Sequence, residues 1–169
     1  PFGTKYHLYI GGDFTTINGQ PHPGIAKFTL TITSFPFNVN NFVLQSWNPQ
    51  LYPGSIATAV VQDIETHGDT VLYSGDFTAI NNSSSISDSR MGITAVSPLS
   101  NSDFGLFNSN SACNSVINWS YKTHSLKLSE NGILVSGNFD RSDPEPDSYI
   151  LFDYSGCIIT TFKPGVNNQ

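Results

Sequence analysis

A seven-residue segment occurs three times in the chain, and no other feature limits its fold as much. Leu8-Tyr9-Ile10-Gly11-Gly12-Asp13-Phe14 returns as Val71-Leu72-Tyr73-Ser74-Gly75-Asp76-Phe77, and again as Ile133-Leu134-Val135-Ser136-Gly137-Asn138-Phe139. The copies lie 63 residues apart (Gly12 to Gly75) and then 62 (Gly75 to Gly137). Self-similarity at such a period marks a repeat architecture, in which each unit buries its faces only against its neighbours.

Each column has a physical meaning. Three apolar or aromatic positions without polar alternation predict a strand buried on both faces. The small residue and glycine that follow (Gly12, Gly75, Gly137) predict a point where other backbone comes close or the strand bends. Asp13, Asp76 and Asn138 fit turn chemistry, a short polar side chain bonding nearby backbone. Asn in the third copy suits a structural bond better than a catalytic carboxylate. Phe14, Phe77 and Phe139 then fasten the turn to the core.

Around these copies the chain reads as short strands and turns. The first copy runs into a polar loop over 15–23 carrying Asn18-Gly19, then a strand over 24–30 and another over 42–47 that ends at Asn48-Pro49. Residues 55–61 predict the next strand, and Gly68-Asp69 turns the chain into the second copy. There Gly92-Ile93-Thr94-Ala95-Val96 matches Gly24-Ile25-Ala26, and a Ser/Asn-rich segment over 97–115 leads to a strand over 116–119, where Trp119 answers Trp47. Ser125-Leu126-Lys127-Leu128 precedes Asn131-Gly132, a hairpin-turn signal. Strands over 149–153 and 157–162 complete the third copy.

No window shows helical periodicity, so the chain is expected to be all-β. Four short antiparallel strands per repeat describe the blade of a β-propeller; a two-sheet sandwich would leave three matched copies unexplained. The units are a partial first blade over 1–54, a second over 55–120 and a third over 121–169. Eleven strands are one short of three blades, and propellers usually carry at least four, so the ring is incomplete in this chain. Two completions are expected. Either the residues are a piece of a longer propeller, or further copies join through open blade edges into rings or filaments.

The pattern also resembles a family. "LYIGGDFTTINGQ", "GIAKFTL" and "VLYSGDFTAINN" are similar to the delta-sixty type of β-propeller repeat of bacterial surface and secreted proteins, and to the fungal bud-site landmark propellers. The resemblance runs from Leu8 to Pro164. It implies a fold and hardly a function, because these repeats share no catalytic residues to carry over.

A formal charge of −6 argues against a nucleic-acid partner, which requires a basic face. Only 12% of residues are charged, about half the usual share, and Ser, Asn, Thr and Gly carry the polarity. No apolar run is long enough to span a bilayer. A start at Pro rather than Met reads as a mature or trimmed product. Sequons at Asn81, Asn82 and Asn118 fit an extracellular or cell-surface glycoprotein.

Candidate partner-binding residues fall in the loops that differ most between copies, since variable loops on one rim are where such scaffolds bind. They are Asn18, Gln20 and His22 in the first loop, and Asn81, Asn82, Asp88 and Arg90 in the second. The third loop holds the acidic cluster Asp140, Asp143, Glu145 and Asp147. Its oxygens could bind calcium, but two prolines stiffen it and Arg141 sits within it, so a solvated acidic loop is the main expectation. No other cofactor is expected. His7, His22, His67 and His124 are scattered, with none at metal-ligand spacing. Cys113 and Cys157 are the only thiols, and in a secreted chain a disulfide between them is expected. Outer strands of neighbouring blades splay apart, so the bridge relies on the long loop before Cys113 to reach across.

The functional expectation is a non-enzymatic extracellular module serving structure or adhesion, whose rim loops or open edges contact protein, carbohydrate or further copies of the chain. The alternative is a carbohydrate-active propeller hydrolase or lyase. That chemistry needs two carboxyl groups roughly 5–10 Å apart, and Asp88 with Asp143 is the pair the sequence offers.

Overall fold

The computed structural model describes residues 4–32, 42–49, 51–53, 58–80, 92–100, 107, 122–138 and 148–162. Every regular element among them is a strand: β1 (Thr4–Gly11), β2 (Thr16–Ile17), β3 (Gln20–Pro21), β4 (Ile25–Ile32), β5 (Phe42–Leu44), β6 (Leu51–Pro53), β7 (Val60–His67), β8 (Thr70–Ile80), β9 (Ile93–Val96), β10 (Lys122–Ser129), β11 (Gly132–Asn138), β12 (Ser148–Phe152) and β13 (Ile158–Phe162). All pairings are antiparallel.

The strands group by repeat. Blade 1 is the sheet β1-β4-β5. Blade 3 is the four-stranded meander β10-β11-β12-β13, and blade 2 contains β7-β8-β9. The expected fourth strand of blade 2, over 116–119 with Trp119, lies outside the described residues. Blades 2 and 3 are formally one sheet, but a single bridge, Lys122 to Asp76, joins them. Among the described residues the sheets do not close into a ring.

Turn chemistry fixes the register. Asn18 and Gly19 both have positive φ (50° and 75°) and close the β2–β3 hairpin, the type I′ pattern that matches strand twist. Gly68, with φ 54°, takes the first central position of the two-residue β7–β8 turn.

Four expectations are corrected. Of the strand predicted over 55–61, 55–57 lie outside the described residues and 58–59 are not strand; β7 runs from Val60 to His67. A bulge between Val61 and Asp63 breaks the alternation, so the paired polar residues that follow look like loop in sequence. In the β10–β11 hairpin the turn is Glu130-Asn131, because Gly132 already pairs with Ser129. At Asp76 there is no turn: β8 continues to Ile80, where its end pairs with β6. Finally, β1 is not buried on both faces, since Tyr6 and Leu8 are 54% and 47% exposed.

Face parity follows from register, because directly paired residues share a face. In β8, Val71, Tyr73 and Phe77 join a buried cluster with Ile25, Trp47, Leu51, Val61 and Val96, against which Tyr9 packs. Leu72 points the other way, into a second cluster with Ile93, Ala95, Phe107, Leu126, Ile133, Val135, Ile150 and Phe152. Blade 2 therefore has one face toward blade 1 and one toward blade 3.

The motif glycine sits where the blades meet. Gly12 N–H donates to Gly24 O at 3.1 Å, and Gly75 N–H donates to Gly92 O at 2.7 Å. Gly24 and Gly92 are equivalent and share positive φ, 75° and 67°. The inner strand of the next blade then touches the same glycine. Val61 N–H reaches Gly12 O at 3.4 Å. Its counterpart Thr123 accepts from Gly75 N–H at 2.7 Å, and its hydroxyl lies within reach of the Gly75 and Gly92 carbonyls.

Candidate functional site

The β2–β3 hairpin carries the first-loop candidates Asn18 and Gln20, with His22 just after it. Asn18 occupies the left-handed region, so its residue type is explained first by the turn. Asn18 and Gln20 are exposed. His22 is not: it is buried, its backbone N–H donates to Thr15 O at 2.9 Å, and its ring Nδ1 has no hydrogen-bond partner. The expectation that His22 faces a partner is therefore corrected. The chain turns inward after Pro21, whose carbonyl accepts from Asn48 Nδ2 at 2.8 Å, and Gly24 N–H bonds Phe14 O at 2.8 Å. A lone histidine in a polar loop carries no sign of this.

Between blades 1 and 2 lies a cleft that the sequence did not announce. Its walls include His7, Tyr9, Lys27, Asp69, Pro98 and Leu99, around a volume of about 300 Å³. Lys27 is buried and donates to Pro98 O at 2.6 Å, and its Nζ stands 5.8 Å from the Tyr9 ring centroid. Tyr9 meets Trp47 edge to face at 5.3 Å, and Trp47 Nε1 donates to Ser97 O and Ser100 O at 2.9 and 3.0 Å. Beyond Lys27, a second recess of about 260 Å³ is lined by Gln45, Ser46, Trp47 and Ser100. Burial lowers the Lys27 pKa and raises that of Tyr9. His7 bonds Thr29 Oγ1 at 3.1 Å, and burial together with Lys27 and Lys5 holds its pKa below the usual imidazole range. The bonds from Lys27 and Trp47 fasten the backbone of Ser97, Pro98 and Ser100 onto blade 1.

The inner strands β7 and β10 meet through polar groups. Asp63 accepts from Leu126 N–H at 2.9 Å, and Lys127 pairs with Glu65 at 2.7 Å. His124 and Gln62, the residues skipped at the two bulges, bond each other at 3.2 Å. Here the structure offers donors and acceptors side by side, and among the described residues no group of three or more His, Cys, Asp or Glu could hold a metal ion.

Of the motif acids, Asp13 accepts from Thr58 Oγ1 at 2.8 Å, a bond to the approach of the next blade rather than to its own backbone. Asp76 is buried. Gly75, Gly137, Phe77 and Trp47 are buried, and Asn138 ends β11. Cys157 is disulfide-bonded; the chain's other cysteine, Cys113, lies outside the described residues. So do Asn81, Asn82, Asp88, Arg90, Asn118, Phe139, Asp140, Asp143, Glu145 and Asp147. No described helix is long and apolar enough to cross a membrane.

No curated protein and no solved structure matches significantly. Residues 7–31, which span the first motif copy, the hairpin and most of β4, match a family described as "Domain of unknown function (DUF5122) beta-propeller". With the antiparallel blades and their repeated glycine contacts, that match makes this an all-β chain of β-propeller repeats.

Proposed function

We propose that the chain is a non-enzymatic extracellular scaffold for structure or adhesion, built of repeats similar to the delta-sixty type and to the bud-site landmark propellers. The observation that carries this reading is the face-to-face packing of the blades. Two buried clusters hold the three units together, and the β2–β3 hairpin is carried on that frame. It presents Asn18 and Gln20 to solvent on a fixed turn. Its amides suit carbohydrate or protein surfaces through hydrogen bonds. The loops holding Asn81, Asn82, Asp88 and Arg90 extend the same rim on this reading, and calcium at Asp140, Asp143, Glu145 and Asp147 is a further expectation.

Immobilised polysaccharides and intact cells from the natural source provide the test. The expected result is saturable binding, weakened at least about tenfold in an Asn18→Ala/Gln20→Ala variant, which is about 1.4 kcal/mol. Release of reducing ends from any polysaccharide, abolished by Asp88→Asn/Asp143→Asn, would overturn the non-enzymatic reading. Secretion is tested separately, by finding glycan at Asn81, Asn82 or Asn118 in protein from its source.

A further inference from the structure

The cleft between blades 1 and 2 holds a cation whose charge the packing of the blades leaves unused. Lys27 is only 6% exposed. It pairs with Tyr9 across β1 and β4, and its side chain ends at the carbonyl of Pro98. An ammonium has three donors, and Pro98 O takes one at 2.6 Å. The Tyr9 ring, 5.8 Å from Nζ, offers a second, weaker contact. Among the described residues no carboxylate pairs with Lys27, although Asp69 stands in the wall of the same cleft. A buried cation without a counterion is costly, and buried charges are ordinarily paired. Fastening a backbone carbonyl does not require the charge, since Trp47 Nε1 does the same at Ser97 and Ser100 with a neutral donor.

Space and lining give the chemistry of what fits there. Lys27 borders both recesses, of about 300 and 260 Å³. They are at the small end of ligand sites and lie between packed units, where such sites concentrate. The first sets the hydroxyls of Thr66 and Thr70 and the Asp69 carboxylate beside the Tyr9 ring. The second adds Gln45, Ser46 and Trp47. Hydroxyl, amide and carboxylate groups around aromatic rings suit a small ligand with several hydroxyls of its own. Lys27 asks for one negative charge on that ligand. Asp69 in the same wall repels a second charge, so a carboxylate suits the cleft better than a phosphate dianion. His7, its pKa lowered by burial and by Lys27 and Lys5, contributes a hydrogen bond there rather than another positive charge. We propose that this cleft binds an acidic saccharide, with the carboxylate of a uronate unit on Lys27 Nζ and the ring hydroxyls toward Asp69 and Thr66. Leu99, 85% exposed and bordering both recesses, gives the C–H face of the sugar an apolar contact.

The cleft shares no residue with the β2–β3 hairpin, so failure of the hairpin reading leaves this one standing, and the reverse. Titration calorimetry of the full chain at neutral pH tests it. The probes are glucuronate and galacturonate, as single sugars and short oligomers, with glucose, galactose and acetate beside them. The expected result is saturable binding of a uronate, at least about tenfold tighter than its neutral counterpart or acetate. Lys27→Met keeps the buried stem and removes the charge, and should weaken that binding at least about tenfold. Thr66→Trp fills the cleft from an exposed wall position without touching Lys27, and should abolish binding in a chain that still melts cooperatively. Lys5→Met removes a positive charge outside the cleft and should leave affinity within about twofold. No uronate binding up to about 10 mM overturns the proposal. Equal affinity for uronate and neutral sugar overturns the role of Lys27, and acetate bound as tightly as uronate overturns the saccharide. Unchanged uronate binding in Thr66→Trp places the ligand elsewhere and overturns the site.

Discussion

At the scale of single residues, the repeated glycines do different jobs at equivalent positions. A methyl group added at Gly75 would stand 1.9 Å from Val60 O, while one at Gly12 meets only the Phe14 ring edge at 3.3 Å. Neither glycine has positive φ, so the difference is one of space rather than backbone strain. Gly75→Ala should therefore destabilise by about 3 kcal/mol through overpacking, and Gly12→Ala by less than about 1 kcal/mol. Chemical denaturation of both variants checks the contrast, and equal losses would contradict it. The sequence showed that glycine was needed here; which copy needed it most depends on where β7 begins. That start was hidden because the bulge after Val61 interrupts the apolar alternation. His22 shows a similar limit, since burial of a loop histidine is decided by contacts from residues far along the chain.

At the scale of elements, the turns and the inner strands set the blade geometry. In the β12–β13 turn Asp153 Oδ1 accepts from Ser155 N, Ser155 Oγ and Cys157 N at 2.9, 2.6 and 2.9 Å. The Ser155 hydroxyl, with the backbone N–H of Cys157 next, lowers the Asp153 pKa below its ordinary value of 3.8. A depressed carboxyl pKa adds stability that is present above the unfolded value and lost as pH falls through the folded one. Acid unfolding of the wild type should include this loss below about pH 4. Asp153→Ala should lower stability at neutral pH by about 1 kcal/mol and remove that part of the acid slope. The inner strand β10 makes a second prediction. Thr123→Val keeps the shape but deletes the hydroxyl that bonds Gly75 N–H, and should cost about 1–2 kcal/mol; Val at the equivalent position 61 shows that the site itself accepts the side chain. A neutral result in a melting experiment would mean the Gly75–Gly92 bond alone suffices. The repeats, strand order and glycine-to-glycine bonds were legible because they recur within one sequence. The cleft of Tyr9, Lys27, Trp47 and Pro98 was not, since its residues come from separate strands and a long connection with no shared spacing.

At the scale of the molecule, three units hold together through two apolar interfaces, and the polar loops are carried on them. Cys157 ties the end of blade 3 by a disulfide. On the expected pairing with Cys113 it closes a loop of 44 residues. Reduction should then lower stability by roughly 4 kcal/mol on the chain-entropy view, read as a fall in the denaturation midpoint with dithiothreitol. The central claim is that the three motif copies start from equivalent strands, β1, β8 and β11, and differ in whether both faces are covered. Amide hydrogen exchange followed by mass spectrometry, at sub-micromolar protein, tests it directly. The account predicts slowest exchange in 71–77 and 133–137, and much faster exchange in 4–10, where the outer face and edge of β1 lie open. Exchange in 71–77 as fast as in 4–10 would contradict it, because β8 could not then be the strand enclosed between two packed blades.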